Sequence, residues 1–225
     1  MPLLAYRSET ALVNDLNNFI LRTRKERFTT LKEFEGGFGR PDLLLYSDPT
    51  SHSTKDIESL AALNPRYAPL LSLSAALAVK SLSDLMLVSG GSNETARRIA
   101  SELARVDRLT KHQTSDQGFS IAPIAQPPFQ QVVAIEAKLR DWSRALIQAF
   151  RYREFSTQSW VVLDHAHVAS AVKQSARFKA TGVGLASFST AGDLHVHVMA
   201  RPNKWRGSAL AWRTQAILAK TAILN

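Results

Sequence analysis

The sequence predicts an α/β protein. Residues 9–24 and 141–155 carry apolar side chains at helical spacing, whereas 131–138 and 159–164 are short apolar runs typical of buried strands. Amphipathic helices that alternate with short apolar strands favour a layered α/β arrangement. With 225 residues, the chain is long enough for one sizeable core and one small further module.

The composition favours a polyanionic partner. Lys and Arg total 28 against 19 Asp and Glu, a net charge of +9. Nucleic acid is the first candidate, and a basic surface that only favours solubility is the alternative. The absence of cysteine excludes disulfides and Cys-ligated metal centres. We find neither a signal-peptide pattern nor an apolar run of the roughly 20 residues that span a membrane, so we expect a cytoplasmic protein without a membrane partner.

The first elements follow from local patterns. Residues 9–24 predict a helix, and residues 28–34 and 41–46 predict the two strands of a β-hairpin that turns at the glycine pair 36–37. Residues 47–65 are rich in Ser, Thr, Asp, Asn and Pro, which is typical of a linker.

Residues 66–123 have the predicted order helix, short helix, helix and two strands, with a glycine-containing turn at 89–92. This order resembles a winged helix-turn-helix DNA-binding module. The resemblance implies that the helix starting near residue 93 enters the major groove and that the strands form the wing. The residues it assigns to nucleic-acid binding are Asn93, Thr95, Arg97, Arg98 and Ser101 on the helix and Lys111 with His112 on the wing. The alternative is a helical insertion that only packs on the core.

The remaining chain predicts a helix at 168–179, a hairpin formed by 182–188 and 194–198, and a last helix at 208–224. Two histidine pairs, His165 with His167 and His195 with His197, each have a spacing of two. They indicate either a metal site or a structural or phosphate-contacting role, because spacing alone does not make a closed ligand set.

A carboxylate–lysine pattern points to chemistry. Glu136 and Lys138 share one face of the predicted strand 131–138, and burying such a pair is costly unless the charges are paired or bind a metal. Asp42 directly precedes the apolar run 43–45, so the three side chains converge if these strands pair. Two carboxylates can hold Mg²⁺, and a lysine can orient a water and stabilise charge on a phosphate. The alternative is a surface Glu–Lys pair and an aspartate in a turn.

This pattern resembles the PD-(D/E)XK nuclease superfamily over about residues 5–48 and 128–200. The residues that carry the resemblance are Pro41-Asp42, Glu136-Ala137-Lys138, the Gln-x-x-x-Tyr element of RecB-like members at Gln148 and Tyr152, and the strand from Trp160 to Leu163. It implies a restriction-endonuclease-like mixed central sheet flanked by helices. It also implies Mg²⁺, for which Mn²⁺ can substitute, held by Asp42, Glu136, the carbonyl of Ala137 and Glu9. Asp42, Glu136, Lys138 and Gln148 would be catalytic.

Arg144, Gln148 and Tyr152 share a helix face distinct from the apolar stripe of the same helix. The functional interpretation is a row that supports the site, with Arg144 and Tyr152 contacting nucleic acid, and the alternative is a solvated face.

We therefore expect a nuclease-like core at 1–65 and 124–225 with an inserted winged-helix module at 66–123. The expected activity is Mg²⁺-dependent hydrolysis of double-stranded DNA, by a two-fold dimer if both strands are cut. A non-catalytic DNA-binding protein or regulator on the same scaffold is the main alternative, and an RNA-acting enzyme is a third.

Overall fold

The structure is a computed structural model that describes residues 4–24, 28–35, 39–49, 54–112, 118–203 and 207–224. The predicted turn at 36–37 lies outside these ranges. The chain divides into two compact units, the first formed by Met1–Asp48 with Phe129–Arg206 and the second by Pro49–Pro128 with Gly207–Asn225. None of the described helices is both long enough and apolar enough to cross a membrane.

The helices and strands follow one another in chain order. They are α1 (Glu9–Arg24), β1 (Thr29–Lys32), β2 (Leu43–Tyr46), α2 (Thr54–Ala62), a 3₁₀ helix (Pro65–Leu71), α3 (Leu73–Ala78), α4 (Leu82–Ser89), α5 (Asn93–Arg105), β3 (Leu109–Lys111), β4 (Phe119–Ile121), β5 (Val132–Lys138), α6 (Trp142–Tyr152), β6 (Gln158–Asp164), a second 3₁₀ helix (His165–His167), α7 (Ala169–Val172), α8 (Ser175–Thr181), β7 (Gly184–Phe188), β8 (Leu194–Val198) and α9 (Ala209–Leu224).

The first unit is built on a mixed six-stranded sheet with the order β1-β2-β5-β6-β7-β8. Strands β5, β6 and β7 are parallel, and the outer pairs β1-β2, β2-β5 and β7-β8 are antiparallel. Each parallel pair needs a crossover, which α6 supplies between β5 and β6, and α7 with α8 between β6 and β7. The predicted α/β class, with a mixed sheet flanked by helices, is confirmed.

Helix α1 covers one face of this sheet with an apolar stripe. Leu12, Leu16 and Ile20 are buried at a spacing of four residues, and they pack on Ile135, Ala137 and other apolar side chains of the sheet. The hydroxyl of Ser8 accepts a hydrogen bond from the backbone N–H of Ala11 and so caps the helix.

Helix α6 packs on β5 and β6, and its first turn is capped by Asp141, whose carboxylate accepts from the backbone N–H of Arg144. Its buried residues include Ala145, Ala149 and Tyr152, which recur at the i, i+4, i+7 spacing. The prediction grouped Tyr152 with a polar row apart from this stripe, and the structure corrects this because the helical period turns Tyr152 inward.

The second unit contains the remaining helices and the two-stranded sheet β3-β4. Residues 47–65, expected to be a linker, include α2, because Leu60 and Leu63 supply a buried apolar side beneath the polar surface residues. The predicted helix 208–224 exists as α9, but it packs on α2 and on the 3₁₀ helix Pro65–Leu71. The units therefore differ from the expected boundaries 1–65 with 124–225 and 66–123.

Helix α5 is formed as the sequence predicts. Ser92 caps it by accepting from the backbone N–H of Thr95, and Ala96, Ile99 and Leu103 form its buried side. Gly90 ends the preceding helix α4 in the left-handed conformation, with φ 63°, which a residue without a side chain adopts at little cost.

Candidate active site

The ammonium of Lys138 lies among three carboxylates at the end of β5. Its Nζ atom is 3.0 Å from Glu136 Oε1, 3.1 Å from Glu9 Oε2 and 3.7 Å from Asp42 Oδ2. The structure therefore brings together four of the residues that the sequence singles out, which come from α1, the start of β2 and β5. We call these four residues the Lys138 cluster.

Strand pairing explains this convergence. Leu43 is paired with Ile135 in the antiparallel β2-β5 ladder, so Asp42, one residue earlier, comes beside Glu136. The backbone N–H of Ala137 donates to Asp42 Oδ2 at 2.7 Å and fixes the carboxylate there. The described contact of Ala137 is thus made by its N–H, whereas the predicted role belongs to its carbonyl.

The Lys138 cluster carries more negative than positive charge and is partly shielded from solvent. Glu136 is only 1% exposed, and burial together with the nearby Asp42 raises its pKa. Burial also raises the pKa of Asp42. Burial opposes the charge of Lys138, but Glu136 and Asp42 outweigh it and raise the pKa of the ammonium, which therefore stays charged. One ammonium among three carboxylates leaves a centre that attracts a further cation.

Tyr152 positions the buried carboxylate. Its hydroxyl donates to Glu136 Oε2 at 2.7 Å, and burial followed by this hydrogen bond raises the pKa of the phenol. Gly39 permits this packing, since a Cβ atom at that position would lie 2.8 Å from a carbon of the Tyr152 ring. Because Tyr152 is 1% exposed, its side chain is covered, contrary to the expected contact with nucleic acid.

Gln148 and Arg144 lie beside a separate groove on α6, which Arg151 also lines. The Gln148 Oε1 atom is buried without a hydrogen-bond partner among the described residues. No hydrogen bond in the described chain joins Gln148 to the Lys138 cluster, so its catalytic role stays a prediction. Arg144 is exposed, as a phosphate-contacting residue must be.

The donor chemistry of the cluster fits Mg²⁺. This ion takes hard oxygen ligands and is usually bound by one or two carboxylates together with waters and substrate phosphates. Asp42 and Glu136 supply two carboxylates that already face one cation, the Lys138 ammonium. Within the described ranges, no group of three His, Asp or Glu side chains is arranged to hold a metal ion, so the remaining ligands would come from water and substrate.

The predicted DNA-contacting residues of the second unit lie on α5 and β3. Asn93, Arg97, Arg98 and Ser101 are exposed on the helix, and Lys111 is exposed on β3. Thr95 is half-buried, and its side chain packs against Gly91. Helix α5 therefore presents two arginines to solvent on the side opposite its apolar stripe.

Two histidines contact a serine that sequence reasoning missed, and a third lies beside one of them. Ser187 Oγ lies 2.8 Å from His165 Nδ1 and 2.8 Å from His197 Nε2, and the rings of His165 and His195 are 4.9 Å apart. Ser187 is a polar residue inside the apolar run 184–188, and this was the only signal for it in the sequence. The predicted partner His167 has no described hydrogen bond.

These two groups of polar side chains, the Lys138 cluster and the three histidines with Ser187, both belong to the first unit. Comparisons of the chain with known protein families, with curated proteins and with solved structures found no match, so its own side chains carry the functional conclusion.

Proposed function

We propose that the protein is a Mg²⁺-dependent nuclease that hydrolyses phosphodiester bonds of DNA. The observation that carries the proposal is the Lys138 ammonium held within 4 Å of the carboxylates of Asp42 and Glu136 at the end of an otherwise apolar strand. Because burying such charges destabilises the fold, charged groups at the end of a buried strand indicate a functional site. The resemblance of Pro41-Asp42 and Glu136-Ala137-Lys138 to the PD-(D/E)XK motif supports a restriction-endonuclease-like core.

Each residue of the Lys138 cluster, together with Tyr152, has a distinct task in this proposal. When bound, the ion would supply Lewis acidity that polarises a phosphate oxygen and lowers the pKa of a water. Asp42 and Glu136 would hold that ion, and Tyr152 keeps the Glu136 carboxylate in one orientation through its 2.7 Å hydrogen bond. Lys138 orients the attacking water and stabilises negative charge that builds on the phosphate. Glu9 helps to keep the ammonium in place, 3.1 Å away.

The second unit would grip duplex DNA. Its resemblance to a winged helix-turn-helix rests on the order of α3, α4, α5, β3 and β4. Arg97 and Arg98 on α5 are exposed, and neither makes a described ion pair. In this proposal, they enter the major groove or contact phosphates, and the net charge of +9 favours the encounter with the polyanion.

One observation favours a second candidate, a DNA-binding protein without nuclease activity. The Lys138 ammonium contacts three carboxylates and so already supplies one compensating cation. Such an ion network can be a purely structural feature of a buried strand end. The two candidates share DNA binding and differ only in cleavage.

Plasmid cleavage separates them. Wild type should cleave with Mg²⁺ or Mn²⁺ and stop when EDTA is added. Asp42→Ala, Glu136→Ala and Lys138→Ala should each lower the rate by at least about 100-fold, since a loss of several kcal/mol of charge stabilisation has this effect.

Lys32→Ala is the matched control, because Lys32 also ends a strand of the same sheet, and the hydrogen bond described for its ammonium goes to Asn14 and not to a carboxylate. It should cleave like wild type. Binding without cleavage by wild type would favour the second candidate, and equal cleavage by all variants would exclude the Lys138 cluster as the active site. Stronger competition by structured RNA than by duplex DNA would identify an RNA-acting enzyme.

A further inference from the structure

Ser187 links two imidazoles near the carboxyl end of β7. Its buried hydroxyl lies 2.8 Å from a ring nitrogen of His165 and 2.8 Å from one of His197. A hydroxyl has one proton, so Ser187 can donate to only one of the two ring nitrogens. The other ring nitrogen must donate its N–H to the serine oxygen. His195 stands beside His165, with 4.9 Å between the ring centroids. We call these three histidines and Ser187 the imidazole cluster.

A β-bulge adds the third imidazole. Val196 pairs with Ala186 and Val198 pairs with Leu185, so His197 is the extra residue between them. Bulges of this kind redirect a side chain and are frequent beside active sites. Here, the bulge brings His197 to the same hydroxyl that His165 contacts.

The imidazole cluster lies on the same face of the sheet as the Lys138 cluster, and both lie near the carboxyl ends of the parallel strands. The register across four adjacent strands aligns Lys138, Leu163, Ser187 and His195. Residues aligned in this way point to the same face of the sheet. Ser187 lies two strands from Lys138, which is about 10 Å at the usual spacing of about 4.8 Å between strands.

Negative charge around the imidazole cluster is engaged elsewhere. Asp164 accepts through its two oxygens from the backbone N–H groups of Tyr6 and Ala166. Asp193 on the β7-β8 turn accepts from Ser189. Helix α8 packs on β7 and β8 and carries two cations, Arg177, which lies over the ring of Trp142, and Lys179.

The charges that act on His197 are therefore the other two imidazoles. Burial, followed by repulsion from His165 and His195, lowers the pKa of His197. No described carboxylate forms a hydrogen bond with any of the three rings. An anion bound beside the three rings would offset this repulsion and accept their N–H groups.

We propose that the imidazole cluster is a phosphate-binding subsite that holds the same nucleic-acid strand whose scissile phosphate lies at Lys138. That the scissile phosphate of this strand lies at Lys138 rests on the proposed nuclease function. A separation of about 10 Å is short enough for nearby phosphates of one strand to reach both clusters. His195, which is exposed, and His165 beside it donate to the phosphate, and His197 supports them through Ser187.

Binding of a fluorescent DNA duplex by the full chain tests this subsite. The measurements are made in EDTA, so that no cleavage occurs, at pH 6 and pH 8 and at several salt concentrations. The double variant His165→Gln/His195→Gln should bind about tenfold more weakly than wild type at pH 6, whatever the sequence of the duplex, and its salt slope should fall by about 1. At pH 8, the two proteins should bind nearly equally.

His167→Gln is the matched control, since this histidine lies two residues from His165 and makes no described hydrogen bond. It should behave like wild type at both pH values. Equal affinity and salt slope of the double variant and wild type at pH 6 would overturn the subsite. A loss of the same size at pH 6 and pH 8 would also overturn it, because that pattern indicates a structural role.

Imidazole NMR signals of wild type identify the anion. A titration with a short DNA oligonucleotide should move the His165 and His195 signals, and millimolar inorganic phosphate should move them less. Shifts with inorganic phosphate and none with DNA would overturn a nucleic-acid subsite. Failure of the two proposals is distinguishable: intact cleavage with no effect of the double variant removes the subsite alone, whereas absent cleavage with the expected binding loss removes the nuclease alone.

Discussion

The two faces of strand β5 differ in a way that separates stability from chemistry. On one face, Ile135 and Ala137 pack into the apolar core beneath α1. On the other face, Glu136 and Lys138 form an ion pair at 3.0 Å, and Tyr152 of α6 completes the hydrogen bonding of the carboxylate. Seven residues of one strand thus supply both the core and the candidate active site.

The apolar face of β5 makes its polar face possible. Buried charges destabilise a fold unless other interactions compensate, and the close-packed layer between α1 and the sheet is a source of that compensation. Substitutions on the apolar face should therefore change stability without changing chemistry, whereas substitutions on the polar face should chiefly change chemistry.

Glu136→Gln should have the largest effect on the polar face. The amide keeps the shape of the side chain and loses the charge that would hold a cation, so we expect the cleavage rate to fall by at least about 100-fold. Ile135→Val, on the next residue, should leave cleavage unchanged and lower the free energy of unfolding by about 0.5–1.5 kcal/mol. Single-turnover cleavage and urea unfolding measure the two effects, and equal cleavage by both variants would contradict the comparison.

Leu16→Ala should have the largest effect on the apolar face. Leu16 is fully covered between α1 and the sheet, and its truncation leaves a cavity that costs about 2–5 kcal/mol of unfolding free energy. Denaturant unfolding of the full chain gives this value. The rate per folded molecule should stay that of wild type, and Leu21→Ala on the exposed side of α1 is the control. A strong loss of cleavage in the folded variant would show that the two faces are coupled.

Tyr152→Phe should fall between these extremes. It leaves the buried Glu136 Oε2 atom without its donor, which costs about 1–3 kcal/mol of stability. Because Tyr152 is a positioning residue, we expect the Mg²⁺ concentration for half-maximal cleavage to rise about tenfold. Phe150→Leu, on the exposed side of the same helix, is the control. A loss of stability with an unchanged Mg²⁺ requirement would limit Tyr152 to a structural role.

Much of the fold could be predicted because periodicity reports burial. The apolar spacing in α1, α5 and β5 identified these elements with nearly correct bounds. The prediction of a linker at residues 47–65 was wrong, because the polar composition of this segment outweighed the signal of Leu60 and Leu63, the two buried leucines at α2. The unit to which α9 belongs could not be predicted, since a helix that is buried on most sides shows no preferred face and depends on tertiary contacts.

The Lys138 cluster could be predicted because charges in an apolar strand are costly and therefore conspicuous. The imidazole cluster could not, since it depends on the β-bulge at His197 and on a register across four strands. Tyr152 was assigned to the correct helix and to the wrong environment, because only the packing of α6 on β5 determines which side faces inward.

Asp42→Asn should have the smallest effect on stability, and of the opposite sign. Burial raises the pKa of Asp42, so the ionised carboxylate is less favourable in the folded chain than in the unfolded one. Removal of the charge should raise the free energy of unfolding by about 1 kcal/mol at pH 7 while abolishing cleavage, as often happens at active sites. The side-chain carbonyl of asparagine can still accept from the Ala137 N–H.

The pH dependence of this gain follows from the same shift. Below the ordinary carboxyl pKa of 3.8, position 42 is uncharged in both proteins and the gain should vanish. It should grow as the pH rises through the pKa of the unfolded chain and reach its full size above the raised pKa of the folded one. Asp48→Asn, an exposed aspartate beyond the other end of β2, should show no such gain. Thermal unfolding in EDTA between pH 3 and pH 7 measures both variants. A loss of stability in Asp42→Asn at pH 7 would mean that the attraction between Asp42 and Lys138 outweighs the cost of burying the Asp42 charge.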